Sequence, residues 1–372
     1  MKIKDFAIVK RGSSPRPIIE FLSEEGYPWL KISDFVLGQR YIYKTKEFIK
    51  PSGLSSTRYV QKNTLIITNS ASPGIPIFLG EDMCLHDGFL YFEKIDDYII
   101  PMYLYYYFLA NRAKLVKQGN GSVFVNLKKE IVENTEINIP TIEIQQHIVN
   151  TIGSVDELIE INNQKISKLK ELIDLEYRKL DIYSFDVSTL ESEFNISIGR
   201  TPPRNEKEWF TVNNNDMLWV SIKDMGEKEL FIYDTNEKLI PRAIDRFNYV
   251  VANENDILMS FKLTVGKVSI AGKNLVTNEA IATFKPKKDY LRWFLYCYLN
   301  ACDFTNAGST SSIATAINSS ILKKYKFPLP KEEQIISFNS KVSLYIKEIK
   351  NLIIQTDKLK ETKNKLLTKF FK

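Results

Sequence analysis

The chain states one pattern twice, about 190 residues apart, and this duplication restricts its fold more than any other feature. The first statement is Gly12-Ser13-Ser14-Pro15-Arg16, then Trp29-Leu30-Lys31-Ile32-Ser33-Asp34, then Asn63-Thr64-Leu65-Ile66-Ile67-Thr68 and Gly74. The second is Gly199-Arg200-Thr201-Pro202-Pro203-Arg204, then Trp219-Val220-Ser221-Ile222-Lys223-Asp224, then Asn255-Asp256-Ile257-Leu258-Met259-Ser260 and Gly266. Each copy closes with a proline, an acid and a glutamine ahead of a long helix: Pro140, Glu143 and Gln145, then Pro330, Glu333 and Gln334. A globule-plus-helix unit present twice predicts an internal pseudo-twofold axis. Such a molecule suits a ligand that is itself nearly twofold, and duplex DNA is the leading candidate.

Within each copy the short β-branched runs at 64–68 and 74–79, and at 256–261 and 266–270, are bounded by Pro, Gly and Ser and predict strands. Aromatic-rich helices follow at 102–115 and 290–301, then small-residue loops at 119–122 and 308–312. Each globule reads as a mixed α/β (α+β) domain. The expected domains are a recognition globule over 1–140, a helical spacer over 141–183, a second globule over 184–330 and a second spacer over 331–372.

The spacers carry the strongest periodicity. Alternating steps of four and three from Ile148 give Ile152, Val155, Ile159, Asn162, Ile166, Leu169, Ile173, Glu176 and Leu180. The same walk from Phe338 gives Val342, Tyr345, Ile349, Leu352, Thr356, Leu359, Lys363, Leu366 and Phe370, at a constant offset of 190. A 3.5-residue apolar repeat over about four heptads predicts helix–helix pairing, a coiled coil, rather than a lone surface helix. Asn162, Glu176, Thr356 and Lys363 interrupt the seams, and polar seam residues disfavour wrong registers.

Composition is permissive. A length of 372 residues allows two or three domains, and a formal net charge of +6 permits a polyanionic partner without requiring one. Three cysteines make no disulfide framework, and neither a leader-like segment nor an apolar run of about 18 residues occurs, so the expected setting is the cytoplasm. The stretch from Tyr98 to Leu109 reads as a buried helix.

Catalytic motifs are missing. Thr201-Pro-Pro-Arg204 shares only its prolines with the adenine-methylating tetrapeptide, and Val265-Gly266-Lys267-Val268 lacks the first glycine and the hydroxyl of a P-loop. The Glu-x-Lys tripeptides Glu348–Lys350 and Glu361–Lys363 lie on a predicted spacer helix, where a solvated face explains them better than a nuclease metal site. Cys84 and His86 have no second ligand pair, so no metal is expected. What remains is a doubled set of basic and hydroxyl residues on turns and loops. Arg11, Ser13, Ser14 and Arg16 flank one turn; Arg200, Thr201 and Arg204 flank the other. Lys31 and Lys223 follow the repeated tryptophan, and Asn69 and Ser70 stand against Lys262 and Thr264. Lys and Arg neutralise phosphates, while Arg, Asn and Ser on loops can read groove edges. Trp29 and Trp219 fit core anchors better than base-stacking platforms.

These motifs, in this order and twice over, resemble the specificity (S) subunits of Type I restriction–modification systems along the whole chain. The resemblance implies a non-catalytic subunit in which each globule, a target recognition domain, reads one half of a bipartite, asymmetric DNA site. It implies that the helices pair antiparallel as a ruler and bind two modification (methyltransferase) subunits, which carry S-adenosylmethionine and methylate adenine. It admits two restriction subunits using ATP and Mg, with no cofactor held by this chain. The first copy departs from the family where Ile144 replaces an acid and where Thr68-Asn69-Ser70-Ala71 lacks the basic residue present as Lys262, so the halves should read different sequences. The residues themselves leave two rivals open, a coiled-coil scaffold whose globules bind protein and a self-contained nuclease.

Overall fold

A computed structural model describes residues 1–35, 38–118, 126–226, 230–304 and 317–372; the expected loops at 119–122 and 308–312 lie outside them. Contacts divide the chain into two units, Met1–Ile161 with Gln355–Lys372, and Asn162–Ile354.

The first unit is built on a five-stranded sheet in the order Ala7–Arg11, Phe89–Ile95, Leu65–Thr68, Pro76–Leu79, Tyr41–Ile42. Neighbours run antiparallel except the last pair, where Tyr41 meets Phe78 in parallel. The inner strands are apolar throughout because both of their faces are covered. Successive side chains leave a strand on opposite sides. Leu65, Ile67, Phe78, Leu90 and Phe92 therefore join the core shared with helix Pro101–Lys117. Ile66, Ile77, Leu79, Phe89 and Tyr91 join a second core with Leu30 and Val60. Two-sided burial is why the sequence shows continuous runs here instead of alternation. The second core faces a smaller sheet in the order Leu22–Ser23, Glu47–Ile49, Tyr27–Leu30, Met83–Leu85, Arg58–Val60, in which Trp29 pairs in parallel with Cys84.

The second unit repeats this plan. Its main sheet runs Phe194–Ile198, Ile281–Pro286, Ile257–Ser260, Val268–Ala271, Phe231–Ile232, again with only the last pair parallel. Its smaller sheet runs Phe210–Thr211, Glu237–Leu239, Met217–Val220, Val276–Thr277, and Trp219 pairs in parallel with Val276 as Trp29 does with Cys84. The repetition reaches single torsions: positive φ recurs at Asn63 and Asn255, at Ala71 and Leu263, and at Gly74 and Gly266. Trp29 and Trp219 are 4% and 1% exposed, which makes them core anchors.

The long helices span Ile142–Arg178 and Glu332–Phe371. Every residue on the two seam walks is buried or half-buried. In the first unit His147 meets the Phe370 ring at 6.2 Å and Asp156 meets Lys363 at 2.6 Å, so the two helices run antiparallel there. Ile148 and Ile152 lie in the same core as Leu366, Leu367 and Phe370. In the second unit Glu176 meets Lys341 at 3.1 Å, and the Tyr177 and Phe338 rings lie 6.5 Å apart. Each globule is also keyed to a helix. Arg40 grips Glu160 through two bonds of 2.7 Å, an interaction that raises the guanidinium pKa, while Lys350, the counterpart of Glu160, pairs with Glu254. The key has reversed its sign between copies.

The glutamine echo at the helix starts resolves into two different devices. Gln145 is fully buried, accepts from Ile100 N at 2.9 Å and donates to the Tyr98 and Pro140 carbonyls at 3.0 Å. At the offset of 190 its counterpart is Ile335, also fully buried. Gln334, one residue earlier, caps its own helix by accepting from Lys331 N at 2.7 Å. Among the described residues no helix is long and apolar enough to cross a membrane.

Candidate nucleic-acid interface

The Gly-x-x-Pro turns are set by backbone proximity. Gly12 N donates to Phe89 O at 2.9 Å and Ser13 N to Leu85 O at 2.9 Å, and a Cβ on Gly12 would collide with the His86 carbonyl. Gly199 N donates to Ile281 O at 3.2 Å and Arg200 N to Thr277 O at 2.8 Å, and a Cβ there would collide with the Thr277 and Asn278 carbonyls. Only glycine allows that approach.

An acid just before the following strand then gathers the expected residues. In the first unit the Asp87 carbonyl accepts from Arg11 Nε at 2.8 Å and from Asn69 Nδ2 at 3.0 Å, while its carboxylate meets Ser14 Oγ at 3.4 Å. In the second, Thr201 Oγ1 donates to Glu279. Beside each acid a side chain ties the turn: His86 Nδ1 accepts from Gly88 N at 2.9 Å, and Asn278 Oδ1 accepts from Ala280 N at 3.1 Å. Burial pushes the His86 pKa down, and an Nδ1 that accepts a backbone proton is unprotonated, so its 3.1 Å approach to Asp87 is not an ion pair. Ser13 turns aside, donating to Ser56 O at 2.9 Å.

The cations do not sit at matched places. Asp34 accepts from Lys31 N at 3.0 Å and Asp224 from Ser221 N at 2.8 Å, which aligns Lys31 with Ser221 and Lys223 with Ser33. Lys31 is half-buried, pairs with Glu47 and lies 5.5 Å from the Trp29 ring centre. The same station in the second unit is filled by Arg204, which holds both Glu237 oxygens at 2.8 and 2.9 Å and stacks 4.6 Å from the Trp219 and Phe210 rings. Trp29 pairs across the small sheet with Glu47, as Trp219 does with Glu237, so the carboxylates correspond even though the cations come from different sequence positions. Arg16 is exposed and, among the described residues, unpaired, at the rim of a cleft of about 650 Å³ with Trp29, His86 and Asp87. Arg200 and Lys223 are exposed; the Arg200 carbonyl accepts from Trp219 Nε1 at 3.0 Å and from Tyr249 OH at 2.6 Å.

The hairpin loops share one frame. Thr68 Oγ1 donates to Ser72 O at 2.6 Å and accepts from Ile75 N at 3.0 Å; Ser260 Oγ donates to Thr264 O and accepts from Lys267 N at 3.1 Å. Asn69 is buried, as is its counterpart Phe261, so Asn69 belongs to the frame. Ser70 is half-buried, whereas Lys262 and Thr264 are exposed, with Lys262 lying 5.4 Å from the Phe261 ring centre. Cys84 is fully buried, its thiol pKa pushed up to about 11 by that burial. Among the described residues no cluster of three His, Cys, Asp or Glu could hold a metal. Lys350 and Lys363, the ends of the two Glu-x-Lys tripeptides, are spent in ion pairs with Glu254 and Asp156.

Sequence reasoning missed Asp87 and Glu279, Glu47 and Glu237, and Tyr249. One signal was there: carrying the Gly74-to-Gly266 offset of 192 forward lines up Asp87 with Glu279.

A chain of two such globules, each presenting a glycine-pinned turn beside a framed hairpin loop, falls in the class of tandem recognition proteins. Residues 1–171 and 184–365 match the family described as Type I restriction modification DNA specificity domain, and the chain belongs to that family. As a member it carries that DNA specificity domain twice. It is 28% identical over 249 residues to the Type I restriction enzyme MjaIX specificity subunit of Methanocaldococcus jannaschii, a match spanning 64% of this chain and 55% of that one. It is 22% identical to the HindI specificity subunit of Haemophilus influenzae across 89% of this chain and 91% of the relative. The crystal structure of a Type I restriction–modification S subunit from M. genitalium shares its fold, with a TM-score of 0.59 at 15% identity over 100% of this chain and 95% of that one.

Proposed function

We propose that the chain reads a bipartite, asymmetric site in duplex DNA, one half per globule, and brings a methyltransferase to it. The observation that supports this reading is a repeated frame that displays different side chains. Torsions and hydrogen bonds recur in both hairpin loops, yet one displays Ser70 and Ser72 and the other Lys262 and Thr264. Lys and Arg at such places meet phosphates, while polar loop residues meet base edges. Of the cations expected at the interface, Arg16, Lys223, Lys262 and Arg200 are exposed and make no ion pair among the described residues, which leaves them for that work.

The reaction chemistry lies with partners in this proposal. Two modification subunits supply S-adenosylmethionine and the adenine-methylating centre, and up to two restriction subunits supply ATP- and Mg-dependent cleavage, all in the cytoplasm. Helix length sets the gap between half-sites, so four residues inserted near Lys168, about one helical turn, lengthen the spacer by one to two base pairs. The deciding experiment exchanges residues 1–140 for the matching domain of a relative and maps methylated sites in a host that also expresses the modification subunit. One half of the site changes and the other stays. A change in both halves together overturns the two-reader model.

A further inference from the structure

The duplication offers each long helix a wrong partner. The central helix Ile142–Arg178 and the C-terminal helix Glu332–Phe371 correspond at an offset of 190, so either has the seam to pair with a second copy of itself from another chain. One station tells right from wrong. In the first unit Asp156, 5% exposed, accepts from Lys363 Nζ at 2.6 Å and from Tyr106 OH at 2.8 Å. The counterpart of Asp156 is Ile346 and that of Lys363 is Ile173, each 3% exposed in the main core of the second unit. Tyr107 and Tyr298 donate to the matched carbonyls of Glu136 and Lys326, which puts Cys297 at the place of Tyr106. A charged, hydrogen-bonded trio in one unit is thus an apolar trio in the other.

We propose that this asymmetry makes the helix interface selective for one central and one C-terminal helix, each helix rejecting a second copy of itself. Two central helices would set Asp156 against Ile173 twice, and two C-terminal helices would set Ile346 against Lys363 twice. A charge buried without its partner weakens an association roughly 100-fold or more, and an exchanged dimer of whole chains carries four such charges. A second station repeats the logic. Glu176 meets Lys341 at 3.1 Å, and their counterparts are Leu366 and Thr151, so like pairing loses this cross-helix ion pair, although Glu176 keeps Lys179 of its own helix at 2.7 Å. Selectivity of this kind is independent of what the globules bind.

The test mixes two differently tagged full-length chains in denaturant, refolds them at about 100 µM and isolates doubly tagged species. A tethered helix has an effective concentration near the millimolar range, so seams without preference would leave roughly a tenth of the chains in mixed dimers. Wild type is expected to give mixed dimers in which two central helices meet at less than about a hundredth of that. Asp156→Ile with Lys363→Ile copies the apolar trio and is expected to raise that like-paired fraction at least about tenfold. Asp156→Lys with Lys363→Asp keeps the correct pair and is expected to leave the like-paired fraction as low as in wild type. Thr151→Cys with Glu176→Cys in an otherwise wild-type chain reports register, because residue 151 stands where Lys341 does and meets residue 176 of another chain only when two central helices pair. Interchain 151–176 disulfides in that chain overturn the proposal without any substitution at the Asp156 station having to fold, whereas mixed dimers that lack them pair one central with one C-terminal helix and support it. A refolded apolar variant that carries the same two cysteines and is as free of interchain 151–176 disulfides as wild type overturns it too.

Discussion

In the first copy the cation over the buried tryptophan is Lys31, which leaves the end of that tryptophan's own strand; in the second it is Arg204, which comes back from the turn. The carboxylates that fix them, Glu47 and Glu237, correspond. The fold therefore keeps the station and not the residue. In the first copy this frees Arg16 at the cleft rim, whereas in the second the arginine is already engaged by Glu237 and two rings. Two arginines that look alike in sequence have different work.

The severest way to break the comparison is at the turns, where the copies should behave alike. Gly12→Ala and Gly199→Ala each drive a methyl group into a backbone carbonyl and should destabilise the affected copy by about 3 kcal/mol, read by hydrogen exchange of its strand amides. A well-tolerated substitution in one copy would mean that the turns are not equivalent.

At the arginines the copies should part. Arg204→Ala removes a partly exposed cation from the rings and should cost the second copy about 1 kcal/mol, read in its thermal unfolding. Arg16→Ala should leave stability unchanged and instead lower the slope of log K for DNA against log salt by about one. If Arg204→Ala moves the slope and Arg16→Ala the stability, the assignment is reversed.

The finest distinction is His86 against Asn278. Unfolded, an imidazole takes its proton near pH 6.5; folded, burial holds the His86 pKa lower. Between the two values the unfolded state binds more protons. The contribution of His86 is therefore complete above about pH 6.5 and is lost as the pH falls through the folded value. Exchange rates followed across that window should show acid sensitivity in the first copy that His86→Asn removes.

How much of this was legible follows from how local each signal is. Ile152, Ile173, Val342 and Ile349 were readable because a helix seam repeats every 3.5 residues within one segment. The strand runs were readable because two-sided burial writes itself as an unbroken apolar string. The partners of Lys31 and Arg204 were not, since Glu47 and Glu237 arrive through strand pairing that no spacing within the chain encodes. Residue matching failed where one position slipped, as at Gln145 against Gln334 and Arg16 against Arg204. There the pattern kept a residue type while the backbone kept a place.

The hairpin frame has a consequence for the history of such a chain. Its shape is held by one hydroxyl at Thr68 or Ser260, by main-chain bonds and by buried Asn69 or Phe261. The side chains at 70–72 and 262–264 contribute little to that hold. Mutation can rewrite them without putting folding at risk, so selection acts on what the loop touches alone. On the proposed reading, a lineage can drift to a new recognition sequence through viable intermediates, one copy at a time, while the other copy keeps its half of the old address.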